Sequence, residues 1–80
     1  MANEDAPVAI NARGMKCPWP ALRAARAMRD AREIVIEADD PIAGAELAAL
    51  AAQNGWDFSA MGLDRYRLSH PDSAQEYRKI

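Results

Sequence analysis

Apolar and polar positions alternate near the start of the chain, and this pattern predicts a first strand. After Pro7, the apolar residues Val8, Ile10 and Ala12 recur at every second position, which is typical of a half-buried strand. Arg13-Gly14 interrupts the alternation, so we expect the strand to end there.

The next apolar pattern has helical spacing. Residues from Pro18 to about Ala31 are rich in Ala, Leu, Met and Arg, which are among the better helix formers. The apolar positions that recur at helical spacing are Ala21, Ala24 or Ala25, and Met28, beside Leu22. The segment therefore predicts a first helix with one apolar face.

A compact β-branched run follows and predicts a central strand. Ile34-Val35-Ile36 is too short for a helix, and a run that is apolar on both faces is typical of a buried strand. The acidic segment Glu37-Ala38-Asp39-Asp40 ends it.

A second helix should start at Asp40-Pro41 and run to about Gln53. An aspartate carboxylate accepts the free amide protons of a first helical turn, and proline at the first position lacks one. Leu47, Leu50 and Ala51 form its apolar stripe. Asn54-Gly55 supplies a left-handed residue of the kind that commonly ends a helix.

The remaining pattern predicts a hairpin. The third strand is indicated by the alternating residues Trp56, Phe58 and Ala60, and the fourth by Tyr66, Leu68 and His70. Between them, Gly62-Leu63-Asp64 is typical of a turn. Residues 71–80 are expected to form a tail. In the alternative, residues 65–70 pair with 75–80 across Pro71-Asp72-Ser73, which makes the end of the chain the last strand.

The order β-α-β-α-β-β predicts an α/β (α+β) two-layer sandwich, with two helices packed on one face of a four-stranded mixed sheet. The 80 residues are about half of a typical domain of roughly 150, so we expect a single domain, 1–80, with its core in residues 7–70. Half the residues are apolar, but many of these are alanine. The core should therefore be thin and the stability modest.

Composition excludes several classes of function. Charged residues make up 28% of the chain and the net charge is −2, unlike a disordered acidic segment or a basic nucleic-acid coat. No apolar stretch approaches a membrane span, and no basic-then-apolar signal opens the chain, so a cytoplasmic protein without membrane contact is expected. One cysteine and one histidine fall short of a disulfide or a zinc site. Without a glycine-rich phosphate loop, neither a cofactor nor direct nucleic-acid binding is expected.

Charge is unevenly distributed. Arg13 to Arg32 carries six basic residues against Asp30 alone, whereas Glu33 to Asp64 carries seven acidic residues and no basic one. In the basic segment, Arg23, Arg26 and Arg29 form a slanting stripe on the outer side of the first helix. These charges are either a solvated surface or a docking surface for an acidic partner.

Cys17 lies where the first strand has ended and the first helix begins. Free amide protons and the helix dipole stabilise a thiolate at such a position, and Arg13 and Lys16 add favourable charge, so we expect an accessible thiol with a lowered pKa. Pro18 has a backbone angle suited to the first turn, where Pro20 is also tolerated. No second cysteine is present for a dithiol cycle. Cys17 is either inert packing or a thiolate that handles one sulfur at a time.

Two motifs resemble a known family. Gly14-Met15-Lys16-Cys17-Pro18-Trp19-Pro20 resembles the Gly-Leu-x-Cys-Pro-x-Pro (CPxP) signature of the TusA/SirA-like sulfur-carrier proteins, small domains that carry a persulfide on that cysteine. Ala38-Asp39-Asp40-Pro41 resembles the family's second motif before its second helix, and Gly55 falls where that helix ends in many members. The resemblance covers roughly Val8 to His70 and implies the two-layer sandwich derived above.

The chain also departs from the family pattern at three places. Asn11 and Glu46 stand where the family usually has aspartate, and the turn Ala31-Arg32-Glu33 is shorter than usual. None of these departures touches the thiol. They therefore affect what the resemblance implies about the partner and the sulfur pathway, and not what it implies about the chemistry of Cys17.

The resemblance implies a sulfur carrier, similar to a sulfurtransferase, in which Cys17 accepts a sulfane sulfur as a persulfide and relays it to an acceptor protein, without independent turnover. The supporting residues would be Arg13, Gly14, Lys16, Pro18 and Pro20, and the partner-binding residues Trp19, Arg23, Arg26 and Arg29. A cysteine desulfurase or a rhodanese-type protein would be the donor. RNA thiolation, molybdenum cofactor maturation and sulfur oxidation all stay open as the pathway served. The alternative is a non-catalytic regulatory or protein-interaction domain of the same fold.

Three further residues have a structural and a functional interpretation. Asp39 and Asp40 could form an acid/base pair or half of a metal site, but helix capping or packing accounts for them more simply. His70 has no partner ligand placed by the sequence, so no metal or base role is assigned to it. Trp19 is either a core residue or part of an apolar rim around a docking site.

Overall fold

The computed structural model describes residues 7–71, in which two helices pack against a four-stranded mixed sheet. The strands are β1 (Val8–Asn11), β2 (Glu33–Glu37), β3 (Asp57–Ala60) and β4 (Arg65–Ser69), and the helices are α1 (Trp19–Ala27) and α2 (Ala43–Asn54). The strand order across the sheet is β1-β2-β4-β3. β1 is parallel to β2, and β4 is antiparallel to both of its neighbours. The predicted fold class and element order are confirmed.

The core lies between the sheet and the two helices. Alternate strand residues face the helices, and β2 occupies an interior position, as its apolar run predicts. The buried residues are Ile10, Ala12, Ala24, Met28, Ile34, Ile36, Ala38, Ala43, Leu47, Ala51 and Leu68. Because many of these are alanines, the helices approach the sheet closely and only a few large side chains fill the layer.

Gly44 shows how close this approach is. It lies in the first turn of α2, and a Cβ placed on it would come within 3.0 Å of the Tyr66 hydroxyl and 3.2 Å of its ring carbon Cε1. Tyr66 is in turn stacked on Phe58, with ring centroids 6.0 Å apart. Glycine at position 44 therefore lets α2 lie against the aromatic pair.

α1 is shorter than its composition predicts. The helix ends at Ala27, and Arg29 and Asp30 donate their amides to Arg26 and Ala27 in tighter turns. The Met28 carbonyl, which could have accepted a continuing helical bond, lies 2.9 Å from the ring nitrogen Nε2 of His70. The tertiary contact with the end of β4 therefore replaces another helical turn.

The apolar face of α1 contains the expected Ala24 and Met28 and, in addition, Pro20. Pro20, Ala24 and Met28 are buried, at successive intervals of four residues. Leu22, which was expected beside this face, has 52% of its surface exposed. Leu22 therefore lies outside the buried face, because Ala24 faces the sheet and Leu22 faces outward.

The second helix begins later than Asp40-Pro41 suggests. Asp40 lies in the turn before α2, where its Oδ1 accepts a hydrogen bond from the Ile42 amide at 2.9 Å and its carbonyl accepts one from Ala43 at 2.9 Å. The helix itself starts at Ala43. At the other end Gly55 has φ +74°, so the predicted left-handed helix end is confirmed.

β4 pairs with β2 on one side and with β3 on the other. Both of its edges are therefore occupied over residues 65–69. Residues 75–80, which form the second strand of the alternative hairpin, lie outside the described residues. Within 7–71, neither helix has the length and apolarity required to cross a membrane.

Candidate functional site

Three connections meet at one end of the sheet. β1 and β2 are parallel, so the loops that follow them, residues 12–18 and 38–42, leave the same end. The β3–β4 turn, residues 61–64, lies there too, because β4 starts opposite the end of β2. Direct contacts join them: the Ala38 amide donates to the Asp64 carbonyl at 2.9 Å. Cys17 therefore lies in a cluster of loops that are held to one another.

The loop that carries Cys17 is shaped by local bonds and one left-handed residue. Gly14 has φ +83°, a conformation that favours glycine. The Met15 amide donates to the Ala12 carbonyl at 3.1 Å, and the Trp19 amide donates to the Lys16 carbonyl at 2.9 Å. The loop thus turns the chain from β1 into α1 and places the cysteine immediately before the helix.

Asp39 and Asp40 hold this loop from the second connection. The Gly14 amide donates to Asp39 Oδ1 at 2.9 Å, and the Cys17 amide donates to Asp40 Oδ2 at 3.1 Å. The two carboxylates thus each accept one backbone amide of the cysteine loop. The bonds from Ile42 and Cys17 hold the pKa of Asp40 below its ordinary value, with a further contribution from the charge of Lys16.

The thiol of Cys17 is half-buried, and its pKa is raised above the ordinary cysteine value. Desolvation is the largest cause, followed by the negative charges of Glu46 and Asp40. The expected lowered pKa is therefore wrong for the isolated protein. The helix end supplies few free amides near the sulfur, because Pro18 and Pro20 have no N–H, Trp19 donates to Lys16, and Cys17 itself donates to Asp40.

The two cations expected beside the sulfur serve other groups. Arg13 Nε lies 3.1 Å from Glu37 Oε1, and its Nη1 lies 3.5 Å from Asp64 Oδ2. Lys16 is exposed, and its charge acts on Asp40. Arg13 therefore contributes to the structure of this end of the sheet and does not stabilise a thiolate directly.

The prolines of the motif have different positions. Pro18 is the residue before α1, joined to Cys17 by a cis peptide bond, and it is exposed. Pro20 is the second residue of the helix and is fully buried. Pro20 thus anchors the start of α1 in the core, one turn before Ala24.

The exposed face of α1 next to Cys17 is apolar at its start and basic further along. Trp19 and Leu22 have 59% and 52% of their surfaces exposed, and they lie one turn apart on the helix. Arg23 and Arg26 are exposed on α1, whereas Arg29, expected on the same helical stripe, is exposed but lies past the end of the helix at Ala27. Of the two interpretations of Trp19, the exposed rim is the one that agrees with its surroundings.

His70 has a structural role. Its ring nitrogen contacts the Met28 carbonyl, and its ring meets Trp56 edge to face with centroids 5.6 Å apart. No group of three or more potential metal ligands is found among residues 7–71. Asp39 and Asp40 point to different backbone amides, so they do not converge on one ligand.

Sequence reasoning missed Glu46 as a neighbour of the thiol. Glu46 lies in the first turn of α2, and its negative charge raises the pKa of Cys17. The available signal was its place early in the predicted second helix, six residues after Asp40, together with its departure from the usual aspartate. That signal does not predict that Glu46 lies near Cys17, because their proximity depends on how α2 packs against α1.

Comparisons with known proteins agree with this geometry. The family model described as Sulfurtransferase TusA matches residues 8–68. A search of curated proteins found no significant match. The crystal structure of a SirA-like protein from Desulfitobacterium hafniense is similar with a TM-score of 0.73, at 20% sequence identity, over 81% of this chain and 99% of that one. At this identity the structural match supports the fold, and the family model supports the family. The chain belongs to the TusA sulfurtransferase family.

Proposed function

We propose that this protein is a sulfur carrier in which Cys17 accepts a sulfane sulfur as a persulfide and passes it to an acceptor protein. The observation that carries the proposal is the family match over residues 8–68, which includes a single half-buried cysteine at the start of α1. A lone cysteine without a resolving thiol suits one-sulfur transfer. A cytoplasmic setting with its reducing thiol pools suits an unpaired cysteine.

Each transfer is an exchange at sulfur. In loading, the Cys17 thiolate attacks the outer sulfur of a donor persulfide, the donor's S–S bond breaks, and the donor thiolate leaves with the bonding electrons. Cys17 then carries the outer sulfur, and no net oxidation occurs. In delivery, an acceptor thiolate attacks that outer sulfur and Cys17 leaves as thiolate.

The raised pKa of Cys17 affects loading in two opposing ways. It lowers the fraction of thiolate at neutral pH, but a thiolate of higher pKa is the stronger nucleophile, with a Brønsted coefficient of about 0.4 to 0.5. The lost fraction outweighs the gain in nucleophilicity. Loading should therefore be slow with the free carrier at neutral pH and should speed up as the pH rises.

A partner protein is part of the proposal, because the family relays sulfur between proteins. Trp19 and Leu22 offer an apolar contact beside the thiol, and Arg23 and Arg26 offer positive charge further along α1. Exposed aromatic residues commonly anchor interfaces, and charge complementarity mainly speeds encounter. A donor of the cysteine desulfurase or rhodanese type with an acidic and apolar surface around its reactive cysteine fits this face.

The test is whole-protein mass spectrometry after incubation with a cysteine desulfurase and cysteine, or with a rhodanese-type donor and thiosulfate. We expect one added sulfur, about 32 Da, reversed by a reductant. Cys17→Ser should abolish the addition, since no other cysteine is present. If the wild-type mass stays unmodified with both donor types, the carrier proposal is wrong.

The raised thiol pKa also favours one alternative, a regulatory or protein-interaction domain in which the cysteine does not react. This alternative predicts partner binding that Cys17→Ser leaves intact, together with the unmodified mass. The carrier proposal predicts that Cys17→Ser binds the donor but takes up no sulfur. The same pair of measurements therefore separates the two.

A further inference from the structure

The segment that ends in Cys17 is tied to the rest of the molecule at two backbone amides. The Gly14 amide donates to Asp39 Oδ1 at 2.9 Å, and the Cys17 amide donates to Asp40 Oδ2 at 3.1 Å. Two consecutive carboxylates therefore hold both ends of the segment. At the start of the loop the Ala12 amide donates to the Glu37 carbonyl at 2.8 Å, and the bonds from Met15 to Ala12 and from Trp19 to Lys16 are local.

Asp40 is itself fixed, which makes it a suitable anchor. Its second oxygen, Oδ1, accepts a hydrogen bond from the Ile42 amide at 2.9 Å, and its carbonyl accepts one from Ala43 at the start of α2. Hydrogen bonds to an ionised carboxylate are stronger than those between neutral groups. One carboxylate thus connects the backbone of Cys17 to the first residues of α2.

Anchoring of this kind bears on transfer because the reaction is sensitive to position. Cys17 is half-buried, so a partner's sulfur has a restricted approach to it. A misplacement of about 1 Å in a reacting group costs roughly a hundredfold in rate. A small alkylating reagent has no such requirement, since it reaches the thiol from any open direction.

We propose that Asp39 and Asp40 are positioning residues for sulfur transfer, which hold the Cys17 loop against the start of α2 and so fix the place at which the sulfur meets its partner. This inference rests on the proposed function of Cys17. Neither aspartate touches the transferred sulfur, and each acts through a backbone amide of the loop.

The first experiment compares transfer with alkylation in four variants: Asp39→Ala, Asp40→Ala, Asp40→Asn and the control Asp30→Ala. Asp30 is an exposed aspartate beyond the far end of α1. We expect Asp40→Ala to lower the maximal single-turnover rate of sulfur transfer from a persulfidated desulfurase by about tenfold or more. The donor concentration at half-maximal rate should change little, because the docking face on α1 is intact. Alkylation by iodoacetamide should stay within about threefold of wild type.

The remaining variants should lose less sulfur transfer than Asp40→Ala. Asp40→Asn keeps one acceptor oxygen and should retain more transfer than Asp40→Ala. Asp39→Ala, whose bond is at the more distant Gly14, should lose less than Asp40→Ala. Asp30→Ala should behave as wild type. If Asp40→Ala takes up sulfur from the persulfidated desulfurase at the wild-type rate, or if transfer and alkylation fall together, the positioning inference is overturned.

A second experiment uses the unaltered protein and so does not depend on the folding of any variant. In a pH titration followed by amide chemical shifts, the Cys17 and Ile42 amides should move with one midpoint below the ordinary aspartate value, because both donate to Asp40. Separate midpoints, or no movement at Cys17, would contradict the anchoring. Failure of the wild type to take up sulfur would instead overturn the proposed function, so the two failures are distinguishable.

Discussion

Arg13 pairs with Glu37 on β2 and not with the sulfur of Cys17, although it lies in the same loop. Arg13 Nε is 3.1 Å from Glu37 Oε1, and Arg65 Nη2 is 3.2 Å from the other oxygen of the same carboxylate. The two arginines lower the pKa of Glu37 below its ordinary value. Glu37 thus holds the cysteine loop and the start of β4 at one end of the sheet.

Replacing Arg13 should therefore affect stability slightly and thiol chemistry hardly at all. In Arg13→Ala we expect iodoacetamide to label Cys17 within about twofold of the wild-type rate, because the guanidinium is bound to carboxylates. Exposed ion pairs contribute about 0 to 1 kcal/mol, so the free energy of unfolding in urea should fall by no more than that. A fivefold or larger loss of labelling would instead place the charge of Arg13 on the sulfur.

Replacing Glu46, in contrast to replacing Arg13, should change the reactivity of the Cys17 thiol. Labelling of wild-type Cys17 should rise with pH through a range above the ordinary cysteine pKa, since the thiol pKa is raised. Glu46→Gln removes a negative charge near the sulfur, so the midpoint should fall and labelling at neutral pH should increase by about threefold. Asp30→Asn, which removes the same charge far from the thiol, is the matched control. An unchanged midpoint in Glu46→Gln would remove Glu46 from the site.

The elements were predictable where the signal is local. The β-branched run of Ile34 to Ile36 indicates an interior strand, and Gly55 marks the end of α2; both are found. The end of α1 was not predictable, because Met28 contacts His70 across a separation of 42 residues. Helix propensity carries no information on a contact between residues so far apart.

The features of the candidate site also divide into those that the local sequence predicts and those that depend on distant contacts. The position of Cys17 before α1 follows from Pro18 and the motif around it, and it is found there. The environment of the thiol does not follow, because it depends on which carboxylates α2 brings near. Asp40 was expected to cap a helix, but one of its oxygens accepts the Cys17 amide. Its sequence context explains the bond to Ile42 and gives no sign of the bond to Cys17.

Gly44 offers a test of the close packing between α2 and β4. Alanine is favoured over glycine in a helix by about 1 kcal/mol, but a Cβ here would lie 3.0 to 3.2 Å from Tyr66. We expect crowding to outweigh propensity, with a net loss of about 1 kcal/mol in Gly44→Ala, measured by urea unfolding. In a Tyr66→Leu background the same substitution should become neutral or stabilising. A stabilised Gly44→Ala in the wild-type background would show that the ring moves freely.

The two tryptophans should respond differently to substitution. Trp19 has 59% of its surface exposed, so Trp19→Ser should change the free energy of unfolding by about 0.5 kcal/mol or less. Trp56 is half-buried, packs against the core and contacts His70, so Trp56→Ser should cost about 2 kcal/mol. In donor binding measured by calorimetry, Trp19→Ser should have the larger effect of the two, with an affinity about tenfold weaker than that of the wild type. Equal binding by wild type and Trp19→Ser would exclude Trp19 as an anchor.

The basic residues of α1 should affect the rate of association with a donor protein. Arg23 and Arg26 are exposed on the helix that starts beside Cys17, and complementary charge mainly raises the association rate. Reversal in Arg23→Glu/Arg26→Glu should slow association with the donor by about tenfold at low salt and flatten its salt dependence, since exposed charges are screened beyond about 8 to 10 Å at physiological ionic strength.

Arg32→Glu is the matched control for the single variant Arg23→Glu. Arg32 is also exposed, but it lies before β2, at the end of the sheet opposite to the loop of Cys17. We expect Arg23→Glu to slow association by about threefold and Arg32→Glu to leave it unchanged, because only the first charge lies on the helix that begins beside the sulfur. Labelling of Cys17 by iodoacetamide should stay at the wild-type rate in Arg32→Glu. If both variants slow the donor equally, the effect comes from net charge, and the arginines of α1 are a solvated surface.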